Sequence, residues 1–206
     1  MASANRRKNC SDWSLSDPFS VVRGTDNEDR RSGNMIRATI AAFAALIFVS
    51  MPNAFADDLV GQASIIDGDT LEIHGTRIRL WGIDAPESDQ LCRNEDSEHY
   101  RCGQKAANDL DAFMARRPVE CVEVDRDQYK RAVAVCTVAG VDLADWLVKN
   151  GLALDWPQYS KGAYAAAQSE AKRANLGMWG GSFQEPWRYR TCRRTGGSPV
   201  SCSEQL

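Results

Sequence analysis

Histidine is scarce in this chain: the 206 residues hold two, His74 and His99, one in an expected turn and one in an expected loop, so a histidine base is a poor candidate for any chemistry here. None of the seven cysteines forms a CxxC pair, the spacing that most often marks a zinc site. The longest apolar stretch, Ala38 to Val49, falls short of the ~20 residues a membrane-spanning helix needs. A basic excess, usual in proteins that hold nucleic acid by releasing counterions, is also missing, and there is no internal repeat.

What is present divides the chain at about residue 56. Arg37, the apolar stretch to Val49, and small residues at Ala54 and Ala56 have the layout of a secretory signal. Cleavage after Ala56 would start the mature chain at Asp57. Residues 1–34 are polar and aperiodic, and read as an extension or, preferentially, as a mis-assigned start. An uncleaved anchor is the alternative. Arg30, Arg31 and Arg37 precede the apolar stretch, so the following domain would still be exported, to the periplasm or to the medium. After cleavage no stable membrane association is expected, and a monomer is. The 25 Lys+Arg and 28 Asp+Glu of the whole chain fall to 18 and 23 once the seven basic and five acidic residues before Asp57 are set aside. Any polyanion would have to be held locally or through a cation.

Six cysteines follow the cleavage point, enough to pair completely in an oxidising compartment. Sequence neighbours suggest Cys92 with Cys102, Cys121 with Cys136, and Cys192 with Cys202, and Cys10 is left over in the discarded leader. Metal binding by these cysteines is the competing reading.

From Leu59 to Val138, short β-rich runs alternate with turn residues, and helical patterns dominate afterwards. Strands are expected at Val60–Ile66 and Leu71–Ile73, then at Arg77–Ile83 after a hairpin turn at His74-Gly75. Pro86 to Gly103 is a long charged loop that a Cys92–Cys102 bridge would staple. Helices are expected over Gln104–Ala115, from an Asp142 N-cap to Lys149, and over Ala163–Ala174. Val119–Val124 and Ala132–Val138 are expected as two strands about the charged turn Asp125–Arg131, and if that turn closes a hairpin Cys121 falls opposite Cys136. The tail, residues 184–206, is expected to be irregular apart from its disulfide.

Two acidic clusters interrupt the apolar pattern: Asp67-Gly68-Asp69-Thr70 and Asp84-Ala85-Pro86-Glu87. Each alone is a common solvated turn. Together they offer hard oxygen donors, which suit Ca²⁺ or Mg²⁺ better than zinc. Arg79 and Arg131 alone would pass for ordinary surface charges.

In order and spacing, Asp67-Gly68-Asp69-Thr70, the segment from Arg79 through Trp81 and Asp84 to Glu87, and the segment Asp127–Arg131 resemble the staphylococcal nuclease (thermonuclease) family. The resemblance spans about Leu59 to Trp179. It implies an α+β, mainly β fold over residues 57–183: a five-stranded OB-type β-barrel with three packed helices. It also implies an endonuclease-type hydrolase that cleaves phosphodiester bonds of DNA or RNA with bound Ca²⁺, Mg²⁺ being the lesser expectation. Asp69, Asp84 and the backbone carbonyl of Ala85 would then be metal ligands. Glu87 would position or deprotonate the attacking water, and Arg79 and Arg131 would hold the phosphate. Tyr129 and Tyr159 match positions where rings contact the nucleotide, whereas Trp156, Trp179 and Trp187 read as packing. Ala85 replaces a threonine of the family pattern, and Lys130 stands where glycine is usual before Arg131, at a position expected to need positive φ. The alternative function is a non-catalytic OB-fold module that binds nucleic acid or protein.

Overall fold

In the computed structural model, residues 59–204 are described; the signal segment 35–56, the extension 1–34 and Cys10 lie outside them. The chain opens on strand β1 (Leu59–Asp67), whose residues alternate between half-buried and exposed. It runs antiparallel to β2 (Thr70–Ile73), and the register shifts between Ile65 and Asp67. That irregularity coincides with the acidic tetrapeptide. Gly68 meets the need for close packing there, since a Cβ would lie 2.7 Å from that of Ala85. The link from β2 to β3 (Thr76–Leu80) is a two-residue turn in which His74 and Gly75 both have positive φ, the geometry that matches the twist of a hairpin.

Two longer strands, β7 (Pro118–Arg126) and β8 (Ala132–Val138), form the expected second hairpin. Cys121 lies directly opposite Cys136, and the two are disulfide-bonded with their Cα atoms 4.0 Å apart. β7 pairs with β1, and β8 pairs in parallel with β3 through Ile78–Ala132 and the next two positions. The order β1-β2-β3-β8-β7 therefore closes on itself, giving the five-stranded, mixed OB-type barrel that the pattern implied. Leu71, Ile73, Ile78, Leu80, Val119 and Ala134 fill it.

Helix α1 (Cys102–Met114) packs on β1 through Ala106, Leu110 and Met114, on one face at helical spacing. Burying a side chain such as Leu110 stabilises by about 1.5–3 kcal/mol. α2 (Leu143–Lys149) covers β8. It is N-capped as expected by Asp142, which accepts from the backbone N–H groups of Ala144 and Asp145. α3 (Pro157–Ser160) and α4 (Ala165–Arg173) follow.

Three expectations are corrected. The strand from Arg77 does not run unbroken to Ile83: it stops at Leu80, and β4 (Ile83–Asp84) turns away to pair with β9 (Leu154–Asp155). The Pro86–Gly103 loop contains its own hairpin, β5 (Leu91–Arg93) with β6 (His99–Arg101), stapled by Cys92–Cys102. The tail expected to be irregular folds as α5 (Pro186–Arg194) and α6 (Pro199–Ser203), bridged by Cys192–Cys202. The described residues thus hold six α-helical segments, four of them within residues 57–183 and two in the tail. Composition hid the tail because α5 is strongly polar and buries little apolar surface, Pro186 and Tyr189 being its buried residues. Its order comes from tertiary hydrogen bonds. Tyr189 donates to Asp89 at 2.8 Å, buried Gln90 donates to the carbonyl of Gln184 at 2.6 Å, and the backbone of Leu91 donates to Ser203.

A candidate active site at one edge of the barrel

Arg79 lies on β3 directly opposite Thr70, so its guanidinium comes up beside Asp69. Its Nη2 donates to Asp69 Oδ2 and to Asp84 Oδ1, each at 2.9 Å. The fully buried Asp84 reaches that point because β4 leaves the barrel edge and is held by Leu154. The Ala85 N–H donates to Asp69 Oδ2 at 3.3 Å, tying the two acidic clusters together across sixteen positions of sequence. Glu87 sits on the connecting loop, where its N–H donates to Gln90 Oε1. Five positions singled out in the sequence (Asp69, Arg79, Asp84, Ala85 and Glu87) are therefore brought to one place.

A residue the sequence reading missed joins them. Arg190, on α5, donates through Nη1 to Asp84 Oδ1 and Glu87 Oε1, both at 2.9 Å, and through Nη2 to Asp84 Oδ2 at 2.7 Å. Trp156, read from the sequence as packing, has the guanidinium carbons of both Arg79 and Arg190 at 5.6 Å from its ring centroid, within cation–π range. It also stacks on Trp187 and meets Tyr159 edge-on. The only sequence signal for Arg190 was an arginine-rich segment following Pro186, with nothing to say where it docks.

Arg131 is placed differently. Its Nε donates to Asp127 Oδ2 at 2.6 Å and its backbone N–H to Asp127 Oδ1, while its guanidinium lies over the Tyr129 ring. It immediately precedes Ala132, which pairs with Ile78 beside Arg79. Lys130 adopts φ of 65°, so the chain takes up the left-handed conformation there despite lacking glycine. Tyr129 is 70% exposed and Tyr159 51%, on the rim rather than in the core. Trp179 packs against Phe183, as expected of a structural residue.

Burial pushes the Asp84 carboxyl up to about 6, helped by Asp69 and opposed by the hydrogen bonds and charge of Arg190 and by Arg79. Asp67 is likewise pushed up to about 6, by burial and then by Asp69. Burial works against the charge on Arg79, but Asp69 and Asp84 outweigh it and hold its pKa above the ordinary value. The site is thus an acidic cluster facing two guanidinium groups. Its donor set is entirely oxygen, which fits a hard divalent cation rather than zinc; Asp69, Asp84 and the Ala85 carbonyl are the groups that would hold one. Among the described residues no three His, Cys, Asp or Glu side chains gather as a ready ligand group. A separate open concavity of about 610 Å³ between β1 and α1, lined by residues including Gln62, His74, Asn108 and Arg117, contains none of Asp69, Arg79, Asp84, Glu87 or Arg190.

A closed OB-type barrel carrying paired acidic clusters and arginines at one edge defines a class of protein, and comparison with known sequences places the chain within it. Residues 77–181 match the family Staphylococcal nuclease homologue, and the chain belongs to that family. It is similar to the Succinoglycan biosynthesis protein ExoI of Rhizobium meliloti (strain 1021), 43% identical over 151 residues, 72% of this chain and 79% of that protein. Micrococcal nuclease of Shigella flexneri is 30% identical over 166 residues, covering 72% of this chain and 89% of the relative. An uncharacterized endonuclease of Haemophilus influenzae is 31% identical over 121 residues, 56% and 62% of the two chains. Arg190 lies outside the family-matched span.

Proposed function

We propose that this protein is a divalent-metal-dependent nuclease that hydrolyses phosphodiester bonds of DNA or RNA. The observation that carries the reading is the Arg79 bridge, 2.9 Å to Asp69 and 2.9 Å to Asp84, with Glu87 brought to the same point by Arg190. A hydrolase for a phosphodiester needs pre-aimed positive charge for the oxygens that gain charge in the transition state, and Arg79 supplies a planar fork for them. Arg131 supplies a second. Glu87, on a loop and only partly buried, is the group to orient or deprotonate water, because neither His74 nor His99 reaches the site. A cation held by Asp69, Asp84 and the Ala85 carbonyl would polarise the phosphate and acidify a water. Ca²⁺ is the preferred cation and Mg²⁺ the second. Tyr129 and Tyr159, exposed beside Arg131 and Trp156, would stack on bases, each contact worth about 1–3 kcal/mol. The disulfides support export to the periplasm or medium.

The test is hydrolysis of single-stranded DNA and RNA by the purified, oxidised protein with Ca²⁺, with Mg²⁺ and with chelator. Cation-dependent cleavage is expected. Glu87→Gln is expected to abolish cleavage while keeping cation affinity; an unchanged rate in that variant would remove Glu87 from its role. One observation favours a second reading, a binding module without turnover: a 43% identical relative is named for succinoglycan biosynthesis rather than for a nuclease. Tight oligonucleotide binding with no cleavage under any cation would select it.

A further inference from the structure

An ionised carboxylate offers about four lone-pair positions, and three of those on Asp84 are taken by guanidinium N–H groups: one from Arg79 and two from Arg190. Arg190 spends a further contact on Glu87. These are two of the oxygen-bearing groups the proposed reaction needs, and a cation at Asp84 would have to share or displace the fork. Arg190 is also held next to a like charge. Its guanidinium and that of Arg79 converge on one oxygen, Asp84 Oδ1, and on one ring, Trp156. Two like charges so close are stable only with an anion between them. Once a cation engages the carboxylates, the anion that fits two converging guanidinium forks is a phosphate.

The arm that presents Arg190 is built for that position rather than draped there. Tyr189, one residue before it, is buried and donates to Asp89, which also pairs with Arg193. Gln90 and Leu91 are hydrogen-bonded to Gln184 and Ser203, and Cys192–Cys202 closes the segment. Asp89, Gln90 and Leu91 begin two residues after Glu87, so the loop that carries the acidic groups is the one to which α5 is tied.

We propose that Arg190 is a third phosphate-binding residue of this site, parked on Asp84 and Glu87 until a divalent cation takes up those oxygens and then presented to the phosphodiester. The inference rests on the proposed nuclease reading. Full-length, oxidised wild type, Arg190→Gln, Arg190→Lys and Arg194→Gln are compared. Arg194 is exposed on the same helix and outside the site, so its variant controls for the loss of one positive charge. Calorimetric titration with Ca²⁺ is expected to show tighter binding in Arg190→Gln than in Arg194→Gln, because the resident competitor is gone. With saturating Ca²⁺, a labelled single-stranded oligonucleotide with cleavage-resistant phosphorothioate linkages is expected to bind Arg190→Gln about tenfold or more weakly, as for loss of a charge-assisted hydrogen bond. Its salt dependence should flatten by about one phosphate contact. Arg190→Lys is expected to regain the salt dependence but not the affinity, since a point charge lacks the fork, and it covers the case in which Arg190→Gln fails to fold. Equal cation affinity and equal oligonucleotide affinity in Arg190→Gln and Arg194→Gln would overturn the proposal. A wild type that binds this probe through Arg190 but never cleaves an unmodified oligonucleotide would refute the nuclease reading and leave the phosphate contact standing.

Discussion

Arg79 donates to two carboxylates through the same nitrogen, and its remaining donors are the ones available to a phosphate. Lysine would keep the charge and lose the planar fork. Arg79→Lys is expected to lower kcat about 10²–10³-fold, as for removal of a pre-aimed transition-state donor, in steady-state cleavage of an oligonucleotide. Near-normal turnover would contradict the role given to it. Asp67 supports the site from behind. Its Oδ1 accepts the Asp69 N–H at 3.1 Å, and its folded pKa of about 6 lies above the ordinary 3.8. The folded state therefore keeps this proton across a range in which the unfolded chain has lost it. The associated stability is fully present below pH 4, declines as pH rises to 6, and is absent above that. Asp67→Asn retains the acceptor without the charge. It is expected to raise stability at pH 7.5 by on the order of 1–2 kcal/mol and to change little at pH 4, read by thermal melts at the two values. Equal effects at both would rule out the electrostatic account.

Among the elements, the loop from Pro86 to Gly103 does most to place chemistry. Its end is pressed against its start, since a Cβ on Gly103 would fall on the backbone of Glu87 and lie 2.6 Å from the Pro86 carbonyl. Backbone cannot swing aside as a flexible side-chain tip can. Gly103→Ala is expected to push Glu87 off Arg190, lowering kcat more than tenfold for an ångström-scale misplacement and stability by about 1–3 kcal/mol. Parallel activity and melting measurements check this, and loss of stability with full activity would separate the glycine from the site. The elements themselves were largely legible in the sequence. The strand alternation, the His74-Gly75 turn, the Asp142 cap and the facing cysteines 121 and 136 are all local patterns that a period or a spacing reveals. α5 was not legible, because its order depends on partners around one hundred residues away, Asp89 and Gln90 with Tyr189 and Gln184.

At the scale of the whole molecule, an acidic protein has to bind a polyanion through a small area of concentrated positive charge, supplemented by a cation. The export reading makes a separate forecast: in cells expressing the full chain, mass spectrometry of the periplasmic and medium fractions is expected to find a protein beginning at Asp57 with all six following cysteines oxidised. Recovery only of longer, reduced chain in the cytosolic fraction would contradict it. Sequence by itself determined the family and the barrel and singled out Asp69, Arg79, Asp84 and Glu87, which the fold gathers at one edge, because each is written in local order: turn residues, alternation and a spaced motif. Only the tertiary structure decided that Trp156 backs the site rather than the core, that Arg131 rests on Asp127, and that Arg190 grips Asp84 and Glu87. Those contacts join segments far apart in the chain, and no periodicity records which distant side chains a closed barrel and a docked tail will bring within hydrogen-bond reach.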